Sequence, residues 1–250
     1  MPMLTCGEMV AGCLAGRDSA WKHFVTVYIP FAAALFDRHC LGPRLRKEEF
    51  LGEMLRQARE QDARFFREYQ GQSEREFLLH LRGHALRGAG QAEPEPEIIL
   101  DWQVFEGALQ ALTALERQIV WLHLLGPQTD DADKLLRLSP ETVKGVMHKA
   151  QEALRQASQR WNQEMLFANR RSLTPAARSR RTEDCVEAKV FLRLVDGQIS
   201  WRDRLDLERH LTLCWRCVDE LCRFREVIHL ARQLRPLSPV ETESYLRLYA

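Results

Sequence analysis

Apolar residues along most of the chain recur at the spacing of amphipathic helices. In the first third of the chain, one such stripe contains Phe31, Leu35 and Phe36, and another contains Phe50 and Met54. Comparable stripes continue through the rest of the chain, whereas internal repeats and the alternation typical of β-strands are almost absent. Because a spacing of three to four residues places side chains on one face of a helix, the pattern predicts an all-α protein.

Polar stretches that contain proline separate three helical segments. One stretch, Gly88-Ala-Gly-Gln-Ala-Glu-Pro-Glu-Pro96, is typical of a linker, and another carries six arginines and Pro175 between residues 157 and 183. The predicted organisation is a helical domain over 1–87, a linker over 88–104, a helical domain over 105–158, a basic linker over 159–183, a small helical domain over 184–234 and a peripheral tail over 235–250.

The composition is that of a globular protein, with 45% hydrophobic and 28% charged residues among 250. No apolar run approaches the roughly 20 residues that span a bilayer, and the N-terminus MPMLTCGEMVAGCLAG lacks the basic region of a secretory signal. We therefore expect a cytoplasmic protein without a membrane partner. In that compartment, seven cysteines favour free, metal-bound or redox-active thiols over a disulfide framework.

The net charge bears on nucleic-acid binding. The chain has 36 Lys and Arg against 35 Asp and Glu, a net charge of +1. A protein that binds DNA alone usually has a clear basic excess, because release of phosphate counterions supplies much of its affinity. The chain therefore either avoids nucleic acid or binds it with the help of a larger partner.

A helix-turn-helix pattern spans residues 108–156. A leucine-rich helical stripe precedes a break at Gly126-Pro127, and a short helix is expected at 131–136. Ser139 is a good N-cap for the next helix, and Pro140 suits its first position. Four residues of that helix form an inward stripe: Val143, Met147, Ala150 and Leu154. The opposite side of its first turns, the part of a recognition helix that meets base edges, carries Glu141, Lys144, Gly145 and His148.

Two stretches of the chain resemble the extracytoplasmic-function (ECF) sigma factors of bacterial RNA polymerase. ALQALTALERQIVWLHLL followed by LLRLSPETVKGVMHKAQEALRQ is similar to their region 4, including the Ser-Pro-x-Thr-Val-Lys start of the recognition helix. AWKHFVTVYIPFAAALFDRHCLG, KEEFLGEMLRQARE and FREYQGQSEREFLLHLRGHALR are similar to their region 2.

The resemblance implies two helical domains that sit on core RNA polymerase and read promoter DNA. Region 4 would read the upstream element through the recognition helix, with the contacts Glu141, Thr142, Lys144, His148 and Lys149. Region 2 would bind the polymerase clamp through Lys47–Arg59, with the contacts Glu49, Glu53 and Arg56. It would also capture unstacked bases of melted DNA through Arg64–Arg75, with the contacts Phe65, Phe66, Tyr69 and Arg75.

The chain departs from the family pattern at several positions near these contacts. Glu49 and Gly52 stand where the family usually has Asp and Gln, Val146 where it has a basic residue, Asp133 where it has a small one, and Arg137 where it has Gly. Residues 106–156 hold six basic and seven acidic residues, which is poor for phosphate attraction. An alternative is therefore a sigma-like adaptor that binds proteins and has weakened promoter reading.

The C-terminal third contains a metal-ligand pattern, His210-x3-Cys214-x2-Cys217. Positions i, i+4 and i+7 of a helix share a face, so one imidazole and two thiolates can converge on a tetrahedral ion. Cys185, 25 residues before His210, is the candidate fourth ligand, and Cys222 is a further candidate. The spacing predicts a Zn²⁺ site.

Residues 185–224 resemble the zinc-binding anti-sigma domain. The shared features are an initial Cys, the Asp196-Gly197-Gln-Ile-Ser200 turn and His-x3-Cys-x2-Cys. In that family the module usually belongs to a separate protein that binds an ECF sigma factor, and here it is fused to the sigma-like segments. It would be a structural module, a metal- or redox-responsive regulator of transcription, or a docking site for a separate regulatory protein.

Enzymatic activity is not expected. The predicted zinc site uses four protein ligands and leaves no position for a reacting water, and the chain has no His-Glu-x-x-His, P-loop or nucleophile-elbow motif.

Overall fold

The computed structural model describes residues 4–40, 46–59, 63–90, 100–126, 130–158, 166 and 168–248. Within these residues all regular structure is helical and no strand occurs, which confirms the all-α prediction. Most of the predicted linker 88–104 and the start of the basic linker 159–183 lie outside the described residues. No helix among the described residues has the length and apolar character needed to cross a membrane.

The described chain forms the following helices: α1 Cys6–Leu14, α2 Asp18–His39, α3 Lys47–Arg59, α4 Arg64–Arg67, α5 Glu74–Gly90, α6 Trp102–Ala108, α7 Ala114–Leu125, α8 Asp130–Leu136, α9 Pro140–Ala157, α10 Arg170–Ser179, α11 Ala188–Val195, α12 Trp201–Leu211, α13 Trp215–Gln233 and α14 Pro239–Leu248.

The chain divides into two compact units. The first consists of Met1–Glu93 together with Val227–Ala250, and the second consists of Pro94–Glu226. The predicted domain 105–158 and most of the predicted domain 184–234 thus belong to one unit. Helix α13 begins in the second unit and ends in the first.

The first unit is built around α2, which packs against α1, α3, α5 and α14. Its core is rich in aromatic side chains, because α2 buries a continuous apolar stripe that includes Phe24, Phe31 and Leu35. The tail 235–250, expected to be peripheral, forms α14 and packs on α2. The expectation was wrong because Leu237, like Leu246, contacts the core of this unit and is partly buried there.

The second unit contains the predicted helix-turn-helix as α7, α8 and α9. Thr113 and Glu116 form a reciprocal capping box at the start of α7, and the Ser139 side chain accepts a hydrogen bond from the Thr142 N–H at the start of α9. The four residues of the predicted inward stripe of α9 are all buried, which confirms that part of the prediction.

The turn between α8 and α9 places a residue other than glycine in the left-handed backbone region. Arg137 has a φ of 56°, in the left-handed region, and the Leu138 N–H donates to the Asp133 carbonyl at 2.9 Å. Together these features form the left-handed C-terminal cap of α8. Glycine adopts this conformation without strain, whereas arginine does not.

Candidate metal centre and recognition helix

Four side chains of the second unit converge in a metal-ligand cluster: Cys185, His210, Cys214 and Cys217. Cys185 lies in the segment before α11, and His210 lies in the last turn of α12. Cys214 immediately precedes α13, and Cys217 lies in its first turn. The candidate ligand atoms all lie within 4.8 Å of one another, so the structure brings together all four predicted ligands.

The distance between two of the sulfur atoms fits a shared tetrahedral metal ion. The Sγ atoms of Cys185 and Cys214 are 3.7 Å apart, and His210 Nε2 lies 3.1 Å from the Sγ atom of Cys217. Two thiolates that bind the same Zn²⁺ at about 2.3 Å lie about 3.8 Å apart. The four protein ligands would complete a tetrahedral coordination shell.

Backbone groups support two of the sulfur atoms. The Thr182 N–H donates to Cys185 Sγ at 3.3 Å. The backbone of Cys217 helps to lower the pKa of the Cys214 thiol. Because Cys214 precedes the first turn of α13, its sulfur occupies the position where a helix stabilises negative charge.

The pKa of the Cys214 thiol lies well below its ordinary value. A hydrogen bond from the Cys217 side chain is the main cause that lowers the pKa of Cys214 to about 5, with help from the Cys217 backbone and Cys185. The same hydrogen bond, followed by burial, raises the pKa of Cys217. A bound cation would take the place of these protons and would let all three sulfurs ionise.

Trp215, the residue after Cys214, anchors the metal-bearing helix α13 on the helix-turn-helix. Its ring is buried, with centroids 5.0 Å from Phe105 and 5.5 Å from Trp121. The Arg117 guanidinium lies over the same ring, 4.6 Å from its centroid. This aromatic and cation–π packing joins the first turn of α13 to α6 and α7.

Asp219, one turn further along α13, is a fully buried carboxylate. Its Oδ1 accepts a hydrogen bond from Trp121 Nε1 at 3.0 Å, and its Oδ2 accepts one from Arg178 Nε at 2.8 Å. Arg223 Nε lies 3.0 Å from the same Oδ2. Burial by itself would raise the pKa of Asp219, but the charges of Arg223 and Arg178 and the hydrogen bonds lower it below its usual value.

Cys222 faces α7 and lies apart from the metal cluster. Its thiol donates to the Gln118 carbonyl at 3.7 Å, and Arg225 Nε donates to the Gln118 side-chain oxygen at 3.0 Å. Cys222 is buried in this contact and is not among the clustered ligands. Its earlier candidacy as a ligand is therefore wrong, because positions 217 and 222 do not share a helix face.

The predicted DNA contacts of α9 lie on its solvent-exposed side. This exposed set is Glu141, Thr142, Lys144, His148 and Lys149. Lys149 Nζ donates to Glu116 Oε1 at 2.8 Å, so its charge is partly neutralised within the unit. A phosphate would have to compete with Glu116 for this ammonium group.

The structure corrects the proposed base-stacking role of Phe65 and Phe66. Their side chains are 2% and 1% exposed and pack in the core of the first unit, for example against Phe24. A buried ring has no free face on which a base can stack. Tyr69 and Arg75 are only partly buried, and the Tyr69 hydroxyl donates to the Ser73 carbonyl at 2.9 Å.

The predicted polymerase contacts lie on the exposed side of α3. Glu49 pairs with Arg46, and Glu53 pairs with Arg56 at 2.6 Å. Such exposed pairs between neighbouring turns contribute little to stability, so the three residues remain able to bind a partner.

Sequence reasoning did not find the buried network around Asp219. Trp215, Asp219 and Cys222 share one face of α13. A charged residue within such an otherwise apolar stripe was the only local sign of a buried carboxylate. Its partners Trp121 and Arg178 are far away in sequence and gave no local signal. Comparisons with family models, curated proteins and solved structures found no match for this chain.

Proposed function

We propose that this protein is an ECF-type sigma factor that carries its own zinc-binding regulatory domain. The first unit would bind core RNA polymerase through α3, and α9 would read promoter DNA. The Cys185–His210–Cys214–Cys217 cluster would hold Zn²⁺ and keep α12 and α13 in the arrangement that packs on α7.

The observation that supports this proposal best is the pairing of two modules in the second unit. The capped helix α9, which has exposed polar residues on its first turns, follows a shorter helix and a turn, as in DNA-reading modules. The helix that carries Cys217 and directly follows Cys214 packs on the first helix of the same module through Trp215 and Asp219. A metal-dependent module in contact with a DNA-reading one suits a regulator of transcription.

Zinc is the metal that the donor set favours. Three thiolates and one imidazole are soft and borderline ligands, which exclude Mg²⁺ and Ca²⁺ as the preferred ions and suit Zn²⁺ in a closed tetrahedral site. Metal analysis of the purified protein should give one equivalent of zinc per chain. Substitution with Co²⁺ should give the absorption of a tetrahedral thiolate complex, and protein that holds no stoichiometric metal would contradict the assignment.

Promoter recognition is tested with core polymerase and genomic promoter fragments. The protein should co-purify with core polymerase and support transcription from specific promoters in vitro. Lys144→Ala should reduce promoter binding more than twofold and lower its salt dependence, because one phosphate or base contact is lost. Lys189→Ala, an exposed lysine on α11, is the matched control. No association with polymerase would refute the proposal.

The second candidate function is a sigma-like adaptor that binds polymerase without reading a promoter. The ion pair between Lys149 and Glu116 favours it, because it removes a positive charge from the recognition helix. Polymerase binding that persists while Lys144→Ala leaves DNA binding unchanged would support the adaptor.

A regulatory role of the metal centre is tested separately by the Cys214→Ser variant. If the metal regulates transcription, this variant should change the output of the polymerase assay and its response to added zinc or oxidant. Unchanged output would leave the metal with a structural role only.

A further inference from the structure

Pro30 leaves one carbonyl of α2 without its helical partner. In an α-helix the N–H of each residue donates to the carbonyl four residues earlier, so the Thr26 carbonyl would pair with residue 30. Proline has no N–H and cannot make this bond. The Leu237 N–H, from the segment before α14, donates to the Thr26 carbonyl at 2.9 Å instead. A distant backbone segment therefore fills the gap that proline creates.

Side chains on the same face of α2 hold this segment. The Thr26 hydroxyl donates to the Lys22 carbonyl at 2.7 Å, so Thr242 is the donor in the 3.1 Å contact between the two threonine hydroxyls. Thr242 is buried, and Lys22 forms an ion pair with Glu243. The Lys22 side chain, the Thr26 hydroxyl and the Thr26 carbonyl left open by Pro30 thus form one docking surface, with Lys22 and Thr26 one helical turn apart.

The segment that docks is itself well formed. Ser238 and Glu241 make a reciprocal capping box at the start of α14, and Pro239 occupies the first helical position. Tyr245 and Leu246 are partly buried against the core of the first unit. The docked face of α14 therefore combines the polar contacts of Thr242 and Glu243 with apolar contacts of Tyr245 and Leu246.

The helix on which the segment docks, α2, also packs against α3, the helix with the predicted polymerase contacts. The Glu48 carboxylate lies close enough to Tyr245 to raise the pKa of its hydroxyl, after the larger effect of burial. Glu48 directly precedes Glu49, the first of those predicted contacts. A partner that bound this end of α3 would meet α14.

We propose that residues 234–248, here called the C-terminal strap, are an autoinhibitory element that docks on α2 and competes with core polymerase for the neighbouring surface of α3. This inference rests on the proposed function. With the strap docked, polymerase has access only to the fraction of molecules in which it has opened, so the apparent affinity is reduced by that fraction. Release of the strap raises the affinity without any change in the polymerase contacts themselves.

Two sets of variants of the full chain test the strap without deleting core residues. In Pro30→Ala, residue 30 has an N–H that can donate to the Thr26 carbonyl, so this carbonyl no longer depends on the Leu237 N–H. Lys22→Glu and Glu243→Lys each place like charges opposite each other, and the double variant Lys22→Glu/Glu243→Lys restores an ion pair. Hydrogen exchange of residues 237–248 reports strap opening, and titration with core polymerase reports affinity.

We expect Pro30→Ala and each charge reversal to speed hydrogen exchange in the strap about fivefold. Each change removes roughly the stabilisation that one neutral hydrogen bond or one local ion pair provides. Polymerase affinity should rise in each, by up to the same factor, and the double charge reversal should return both readouts to the wild-type values. The rescue distinguishes strap release from a direct effect of Lys22 on polymerase.

The failures of the two proposals give different results. Faster strap exchange with unchanged polymerase affinity would overturn autoinhibition and leave the sigma-factor proposal intact. Unchanged exchange in all single variants would overturn the docking role of Pro30 and Lys22. Absence of polymerase binding in every variant and in the wild type would overturn the sigma-factor proposal, and autoinhibition with it.

Discussion

Replacement of Asp219 by asparagine should loosen the contact between the metal-bearing helix and the helix-turn-helix. Asparagine keeps the shape of the side chain and an oxygen that can accept the Trp121 hydrogen bond at 3.0 Å. It removes the charge that Arg178 and Arg223 approach at 2.8 and 3.0 Å. The variant therefore isolates the contribution of the charge.

The expected loss of stability in Asp219→Asn follows from the burial of Asp219 and the exposure of its arginine partners. Removal of one partner from a buried ion pair costs about 3–5 kcal/mol, because the remaining charge is left without compensation. The Arg178 side chain is 44% exposed and regains water, so we expect the lower end, about 3 kcal/mol of unfolding free energy. Asp219→Ala should cost about 1–3 kcal/mol more, because the buried Trp121 N–H then loses its acceptor.

The contribution of the Asp219 charge to stability should depend on pH in a predictable direction. The pKa of Asp219 in the folded protein is lower than its usual value of 3.8, so the folded state releases this proton more readily than the unfolded state. Its contribution is therefore present above pH 3.8 and is lost as the pH falls below that value. The free-energy difference between wild type and Asp219→Asn should shrink at low pH.

The assay is chemical denaturation followed by tryptophan fluorescence, at neutral pH and at a series of acidic values. Comparison of two variants at each pH cancels the acid sensitivity of the metal ligands, which both share. Asp206→Asn, an exposed carboxylate on α12, is the control and should change stability by less than about 0.5 kcal/mol. An Asp219→Asn protein as stable as this control would refute the reasoning.

Three further outcomes are expected. Arg137→Gly should raise the unfolding free energy by about 1 kcal/mol, because glycine adopts the left-handed conformation at φ 56° without strain; a loss of stability would contradict this. Cys214→Ser should abolish stoichiometric metal binding, measured by mass spectrometry, whereas Cys222→Ser should retain it; equal metal content in both would remove the cluster assignment. Burial lowers the pKa of His84 from 6.5 to about 4, so the unfolded state gains a proton first and stability falls as the pH drops from 6.5 to 4. Over this range His84→Gln should lose less stability on denaturation than the wild type, by up to about 3 kcal/mol, and equal losses in the two proteins would exclude a contribution from His84.

The features that were predictable from the sequence depend on residues close together in the chain. Ser139 caps α9 three residues before its partner N–H, and the inward stripe of α9 follows from helical spacing alone. Three of the four clustered ligands lie within eight residues of sequence, so their convergence also follows from helical geometry. Only Cys185 had to be inferred from a resemblance and from the need for a fourth ligand.

The tertiary structure decided which side chains are buried and which distant segments meet. An aromatic pair such as Phe65 and Phe66 has the same local pattern whether it packs in a core or stacks on bases, and only the position of α2 and α5 distinguishes the two. The Trp121–Asp219 hydrogen bond joins residues 98 apart, and the contact of Thr26 with Thr242 joins residues 216 apart. The sequence by itself determined the helices, their caps and the ligand spacing, because these interactions act within about one or two helical turns. The docking of α13 on α7 and of α14 on the carbonyl left open by Pro30 was decided by packing, because such contacts form only when distant surfaces are buried together.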